Sequence, residues 1–89
     1  MNYYLAHAYT RDGAHAYGEQ FTLAAETDEE ATKLAKDFLL KVYADPDEDA
    51  FDEDGQLDLF YRIITFDGVR EISREEYAVL RNFLADAWV

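Results

Sequence analysis

The chain has 89 residues and no cysteine, and its 20 acidic and 8 basic side chains give a net charge of −12. This length fits a single domain over residues 1–89, and an apolar share of 49% excludes a disordered chain. The lack of cysteine excludes disulfides, thiolate metal sites and a cysteine nucleophile. The negative charge argues against direct binding to nucleic acids or anionic membranes, because phosphates are neutralised by Lys and Arg.

The N-terminal part of the chain predicts a β-hairpin. Residues 2–11 alternate aromatic or large side chains with alanines, which is the period of a strand. Asp12-Gly13 follows and is typical of a two-residue type I′ turn, so the chain should return as a second strand over residues 14–25. This turn would pair Arg11 with Ala14 across the hairpin.

Two helices are predicted from their start signals. The sequences Thr27-Asp28-Glu29-Glu30 and Ser73-Arg74-Glu75-Glu76 both have the capping-box pattern, and apolar side chains follow each at helical spacing. The first helix should cover residues 28–44, because Pro46 disfavours helical geometry at the residue before it. The second helix should cover residues 74–88.

A second hairpin is predicted between the helices. Residues 57–66 carry large apolar side chains at both parities, and Asp67-Gly68 separates them from a short strand over residues 69–72. The element order is then ββαββα. It predicts an α+β fold, in which a four-stranded, mainly antiparallel sheet carries two helices on one face.

The segment after the first helix concentrates the charge. Residues 45–58 hold eight of the acidic side chains and none of the basic ones. Such a run repels itself and is more easily tolerated when a cationic surface meets it. The acidic loop over residues 45–56 is also longer than most connections in compact domains, and such loops are often functional. The candidate partner-binding residues are Asp45, Asp47, Glu48, Asp49, Phe51, Asp52, Glu53, Asp54 and Asp58.

Two other interpretations of this segment stay open. It could be a solvated loop that only keeps the protein soluble. It could also bind calcium, because Asp45, Asp47 and Asp49 match positions 1, 3 and 5 of an EF-hand loop. However, Ala50 stands where that loop needs glycine, and Gln56 stands where it needs a bidentate glutamate. A calcium requirement is therefore not expected.

Phe51 is the one large apolar residue among the acids, and it could either pin the loop to the core or anchor a partner. Few residues are candidates for catalysis or metal binding. In the predicted hairpin His7 and His15 lie on opposite faces of the sheet, and the only serine, Ser73, is used as a helix cap. The sequence therefore predicts no metal, no cofactor and no enzymatic activity.

Residues 18–39 contain Gly-Glu-Gln-Phe-Thr-Leu followed by Thr27 and an alanine-containing helix. This stretch, about a quarter of the chain, resembles small phage-encoded anti-CRISPR proteins of the type I systems. The resemblance implies an inhibitor of the crRNA-guided surveillance complex or of its Cas3 nuclease, and some such proteins occupy the DNA-binding path. It carries no functional residue over to this chain.

Charge and resemblance together predict a non-enzymatic, DNA-mimic-like inhibitor that binds a basic nucleic-acid-binding protein. Two alternatives also start from the acidic charge of the chain. The first is an immunity-type or antitoxin-like protein that neutralises a basic nuclease, and the second is a generic interaction module with a solubilising acidic loop. The start of the chain lacks the features of a signal peptide, and no apolar run reaches the length of a membrane span. The expected location is the cytoplasm, that of a bacterial host cell if the protein is phage-encoded.

Overall fold

The computed structural model describes residues 1–45, 47 and 49–87, which form a five-stranded sheet with two helices. In chain order the elements are β1 (Asn2–Asp12), β2 (His15–Ala25), α1 (Asp28–Tyr43), β3 (Gln56–Asp58), β4 (Ile63–Ile72), α2 (Arg74–Leu80) and β5 (Ala85–Asp86). The strand order across the sheet is β3-β4-β1-β2-β5, and only β5 runs parallel to its neighbour. The α+β class is confirmed. The expected four strands become five, in the order ββαββαβ.

The two helices pack on opposite faces of the sheet, so the prediction that both lie on one face is wrong. Tyr4, Ala6 and Ala8 of β1 belong to the core cluster that includes α1, whereas Leu5 belongs with Tyr77 of α2. The reason lies in the strand period. Because successive side chains of a strand point to opposite faces, the large apolar residues at both parities of β1 require cover on both sides.

The first hairpin closes one residue later on each strand than predicted. Asp12 pairs with His15, so the two loop residues are Gly13 and Ala14, and Gly13 has a φ of 60°. A glycine at the first loop position is the requirement of a type II′ turn, whereas the prediction assumed a type I′ turn centred on Asp12-Gly13. The strands themselves match the predicted ranges within one residue.

The predicted second hairpin is wrong. Asp67-Gly68 does not turn the chain but lies inside the continuous strand β4, where the pairing with β1 shifts opposite His7 and Ala8. Gly68 takes a φ of 106° at this bulge. An Asp-Gly pair suits a bulge as well as a turn, because both need a residue with positive φ. The chain instead turns at residues 59–62, inside the predicted strand, and pairs β3 with β4.

Both helices begin where predicted. The Thr27 hydroxyl accepts a hydrogen bond from the Glu30 amide (3.1 Å), and α1 ends within one residue of the expected position. Ser73 and Glu76 form the full reciprocal capping box of α2. The predicted end of the first helix was assigned from Pro46, which lies outside the described residues, as do Glu48, Trp88 and Val89.

Helix α2 is much shorter than predicted, because the chain after it is drawn to the sheet. The Asp86 carboxylate accepts hydrogen bonds from the hydroxyls of Tyr77 (2.7 Å) and Thr22 (3.1 Å), and the Ala87 amide donates to the Thr22 carbonyl. Burial and the contact with Asp86 raise the pKa of Tyr77 to about 12. These contacts hold the short strand β5 against the edge of β2, in place of further helix.

Candidate functional site

The acidic segment, residues 45–58, follows α1 and includes β3 at its end. Most of its described carboxylates are exposed, and Asp49 is half-buried. Its first part is a turn closed by its own side chains. The Asp45 carboxylate accepts from the Asp47 amide (3.0 Å), and the Asp49 carboxylate accepts from the Asp45 amide (2.9 Å). Glu48, a predicted site residue, lies outside the described residues.

Asp52 organises the second part of the acidic segment. One oxygen of its carboxylate accepts from the amides of Asp54 and Gln56, both at 2.9 Å, while its own amide donates to the Gln56 carbonyl. Gly55 has a φ of 78°, and its carbonyl accepts from the amide of Phe66 in β4 (2.8 Å). Local bonds therefore shape this part of the segment, and the bond from Phe66 together with the pairing of β3 and β4 ties it to the sheet.

Phe51 packs against the core. The residue is half-buried, contacts the cluster under α1, and lies beneath the Lys36 ammonium, whose nitrogen is 5.9 Å from the ring centroid. The same ammonium is 5.6 Å from the ring of Phe66. This placement agrees with the interpretation that Phe51 pins the loop.

The carboxylates of the acidic segment thus fall into two groups. Those of Asp45, Asp49, Asp52 and Asp58 accept hydrogen bonds from backbone amides and shape the chain. Within the described part of the chain, the carboxylates of Asp47, Glu53 and Asp54 make no hydrogen bond or ion pair and are exposed. We call these three the free carboxylates, because their charges form no contact that stabilises the segment.

The aromatic turn, residues 59–62, follows the acidic segment directly. The Asp58 carboxylate accepts from the Phe60 amide (3.0 Å), the Tyr61 amide donates to the Leu59 carbonyl (2.7 Å), and the Leu59 amide donates to the Arg62 carbonyl (2.8 Å). Phe60 has a φ of 71°, the region of the uncommon γ-turn with positive φ. Its side chain is fully exposed, and that of Tyr61 is 62% exposed.

Arg62 fixes this turn to the rest of the fold. One of its terminal nitrogens donates to the Asp12 carboxylate (3.2 Å), and its guanidinium carbon lies 5.5 Å from the ring centroids of both Tyr43 and Tyr61. The hydrogen bond to Asp12 raises the pKa of Arg62 above its ordinary value. Three distant parts of the chain therefore meet at this arginine: the first hairpin, the end of α1 and the aromatic turn.

A partly buried polar cluster lies beside Arg62. The Tyr43 hydroxyl donates to the Glu19 carboxylate, and burial together with this contact raises the pKa of Tyr43 well above its usual range. The Thr10 hydroxyl, the second Glu19 oxygen and the Arg62 Nε atom are buried without a hydrogen-bond partner among the described residues. The junction between α1 and the first hairpin is consequently polar, unlike the core next to it.

The acidic segment and the aromatic turn share a surface concavity of about 400 Å³. Asp45, Asp49 and Asp58 line it together with Tyr43 and the first three residues of the aromatic turn. The arrangement therefore presents carboxylates beside two exposed aromatic rings. Such a surface suits a partner that is both cationic and apolar.

Of the nine predicted site residues, the structure places eight, all in the acidic segment. The part of the chain that the structure describes contains no group of three or more His, Asp or Glu side chains arranged to hold a metal ion. Two of the three residues proposed for calcium, Asp45 and Asp49, direct an oxygen to backbone amides of their own turn. Neither helix in the described residues is long and apolar enough to cross a membrane.

Sequence reasoning did not find Phe60, Tyr61, Arg62, Tyr43 or Glu19. Residues 59–62 lack the Gly, Pro or Asn that usually signals a turn, and their apolar side chains extend the pattern of a strand. The one available signal was Asp58, since an aspartate often bonds the amide two residues on and starts a turn.

The chain matches no protein-family model, and no curated protein or solved structure proves significantly similar to it.

Proposed function

We propose that this protein is a non-enzymatic inhibitor that uses its acidic surface to occupy the nucleic-acid-binding site of a basic protein. The more specific form of the proposal is an anti-CRISPR protein that blocks a type I surveillance complex or its Cas3 nuclease. The observation that carries the proposal is the set of free carboxylates Asp47, Glu53 and Asp54, which stand on a backbone shaped by the other acids of the same segment.

The electrostatic cost of this arrangement supports the proposal. Charges that stabilise neither a helix end nor an ion pair raise the free energy of the compact state through mutual repulsion. The repulsion would be offset when a surface rich in Lys and Arg neutralises the charges, as a nucleic-acid channel would. The hydrogen bonds that Asp45 and Asp52 make also reduce the conformational entropy that a partner would have to remove on binding.

The test measures the association rate with a purified type I surveillance complex, and separately with Cas3, and the competition with labelled target DNA. The test variant removes the free carboxylates by Asp47→Asn, Glu53→Gln and Asp54→Asn. A matched control removes three exposed carboxylates of β4 and α2 by Asp67→Asn, Glu71→Gln and Glu75→Gln. Both variants change the net charge of −12 by the same amount.

We expect the test variant to associate about tenfold more slowly than the wild type at low ionic strength, and the difference to shrink as salt is added. The control should stay close to the wild type. Equal slowing in both variants would mean that only net charge matters, and the proposed surface would be wrong. If the wild type binds neither target but does bind and inhibit a basic nuclease, the immunity-protein alternative replaces the anti-CRISPR assignment.

A further inference from the structure

We propose that the aromatic turn is the anchor of the interaction, and that the partner receives Phe60 in an apolar pocket bordered by Lys or Arg side chains. The expected charge of that border rests on the proposed function, whereas the anchor itself rests on the geometry of residues 59–62. Phe51, which the sequence offered either as a pin for the loop or as an anchor, packs against the core.

Phe60 has an unfavourable backbone conformation for a bulky residue. A positive φ is disfavoured for bulky residues with a Cβ atom, and glycine, which has none, would relieve the cost. Phe60 keeps this conformation at 71° while its ring is fully exposed and contributes nothing to the core. A bulky residue in a strained backbone with no packing role suggests a function for its side chain.

The backbone of the aromatic turn is held by contacts within the protein itself. Hydrogen bonds from Phe60, Tyr61 and Leu59 close it internally. Arg62 then braces it through the Asp12 carboxylate and the rings of Tyr43 and Tyr61. Because these contacts hold the backbone of the turn, little backbone freedom is lost when the exposed ring enters a pocket, which is the advantage of a preorganised anchor.

The surroundings of the Phe60 ring are acidic and complement a basic surface. Phe60 borders the concavity of about 400 Å³ whose acidic lining is Asp45, Asp49 and Asp58. Binding sites often place an aromatic anchor at the centre and polar contacts around it. Here the surrounding contacts are carboxylates, so the complementary surface is an apolar pocket with basic groups at its border.

The proposal can be tested without any CRISPR component. A display library of short random peptides is selected on the immobilised full-length wild type, and the enriched peptides are synthesised for affinity measurements. We expect the enriched sequences to combine apolar residues with Lys or Arg. Their affinity should fall about tenfold or more for Phe60→Ala, and equally for Phe60→Gly.

Two comparisons separate the anchor from general effects on the fold. Phe60→Gly should unfold at a higher denaturant concentration than the wild type, because glycine accepts the positive φ, so a loss of binding cannot come from unfolding. Phe83→Ala is the control, since Phe83 is 80% exposed but lies in the turn after α2. It should leave peptide affinity unchanged.

The proposal is overturned if no peptide is enriched, if the enriched peptides lack basic residues, or if they bind Phe60→Gly as tightly as the wild type. These outcomes are independent of the assay with the surveillance complex. A protein that binds such peptides through Phe60 but ignores the surveillance complex keeps its anchor and loses the anti-CRISPR assignment. A protein that binds the surveillance complex but no such peptide keeps the inhibitor function, and the anchor proposal is then wrong.

Discussion

The acidic segment and the aromatic turn are consecutive in the chain, yet they are held in different ways. The acidic segment is shaped mainly by hydrogen bonds between residues two to four positions apart. The aromatic turn is braced by Arg62, whose ion-pair partner Asp12 is 50 residues away. A charged loop can thus take its shape mainly from local hydrogen bonds and be tied to the fold at few points, whereas the aromatic turn adds a long-range brace through Arg62.

The largest effect on stability is expected at Arg62, which braces the aromatic turn. Arg62→Ala should lower the free energy of unfolding by about 1–3 kcal/mol, because it removes a partly buried charged hydrogen bond and uncovers the ring of Tyr43. Arg70→Ala, at an exposed position of β4, should change the stability by no more than about 0.5 kcal/mol. Denaturant titration measures both. Equal effects of the two substitutions would show that the aromatic turn does not depend on its long-range contacts.

A smaller effect is expected within the acidic segment. Asp52→Ala should cost about 1–2 kcal/mol, because two backbone amides lose their acceptor. The neighbouring Glu53→Ala should stay within about 0.5 kcal/mol, since Glu53 belongs to the free carboxylates. Thermal unfolding of the two variants under the same conditions checks the difference. If both substitutions are neutral, the local hydrogen bonds do not stabilise the segment.

The smallest effect has the opposite sign. Removing the free carboxylates by Asp47→Asn, Glu53→Gln and Asp54→Asn should raise the free energy of unfolding by about 0.5 kcal/mol, because exposed like charges repel each other weakly in water. The gain should disappear when salt screens the charges. Unfolding curves at low and high ionic strength provide the measurement. A loss of stability at low salt would place these carboxylates among those that hold the segment together.

The same contrast explains how much of the fold could be predicted from the sequence. The strands of the first hairpin and the starts of both helices were predicted correctly, because period-two alternation and capping boxes are local signals. The position of the second hairpin turn was predicted wrongly. Asp67-Gly68 is compatible with a bulge or a turn, and only the pairing of β4 with β1 decides between them. The true turn at residues 59–62 is indicated locally only by Asp58, and no sequence pattern indicates its brace from Arg62 to Asp12.

The end of the second helix was missed for a similar reason. The apolar stripe after Ser73 continues at helical spacing, but Asp86 bonds Tyr77 and Thr22 and turns the chain into β5. For the candidate site, composition was enough to locate the acidic segment. The division of its carboxylates into structural and free groups, and the shape of the aromatic turn, depend on hydrogen bonds that become visible only in three dimensions.

The central position of β1 has a consequence for how the protein folds. β1 can pair with β2 at once through a two-residue turn, but its other edge is completed by β4, and α1 and the whole acidic segment lie in between. Closing so long a loop is slow, and contacts between distant residues dominate the folding time. Because the intervening chain carries the densest negative charge, its own repulsion opposes compaction. Folding should therefore speed up as ionic strength rises, with the first hairpin forming early and the docking of β4 setting the rate.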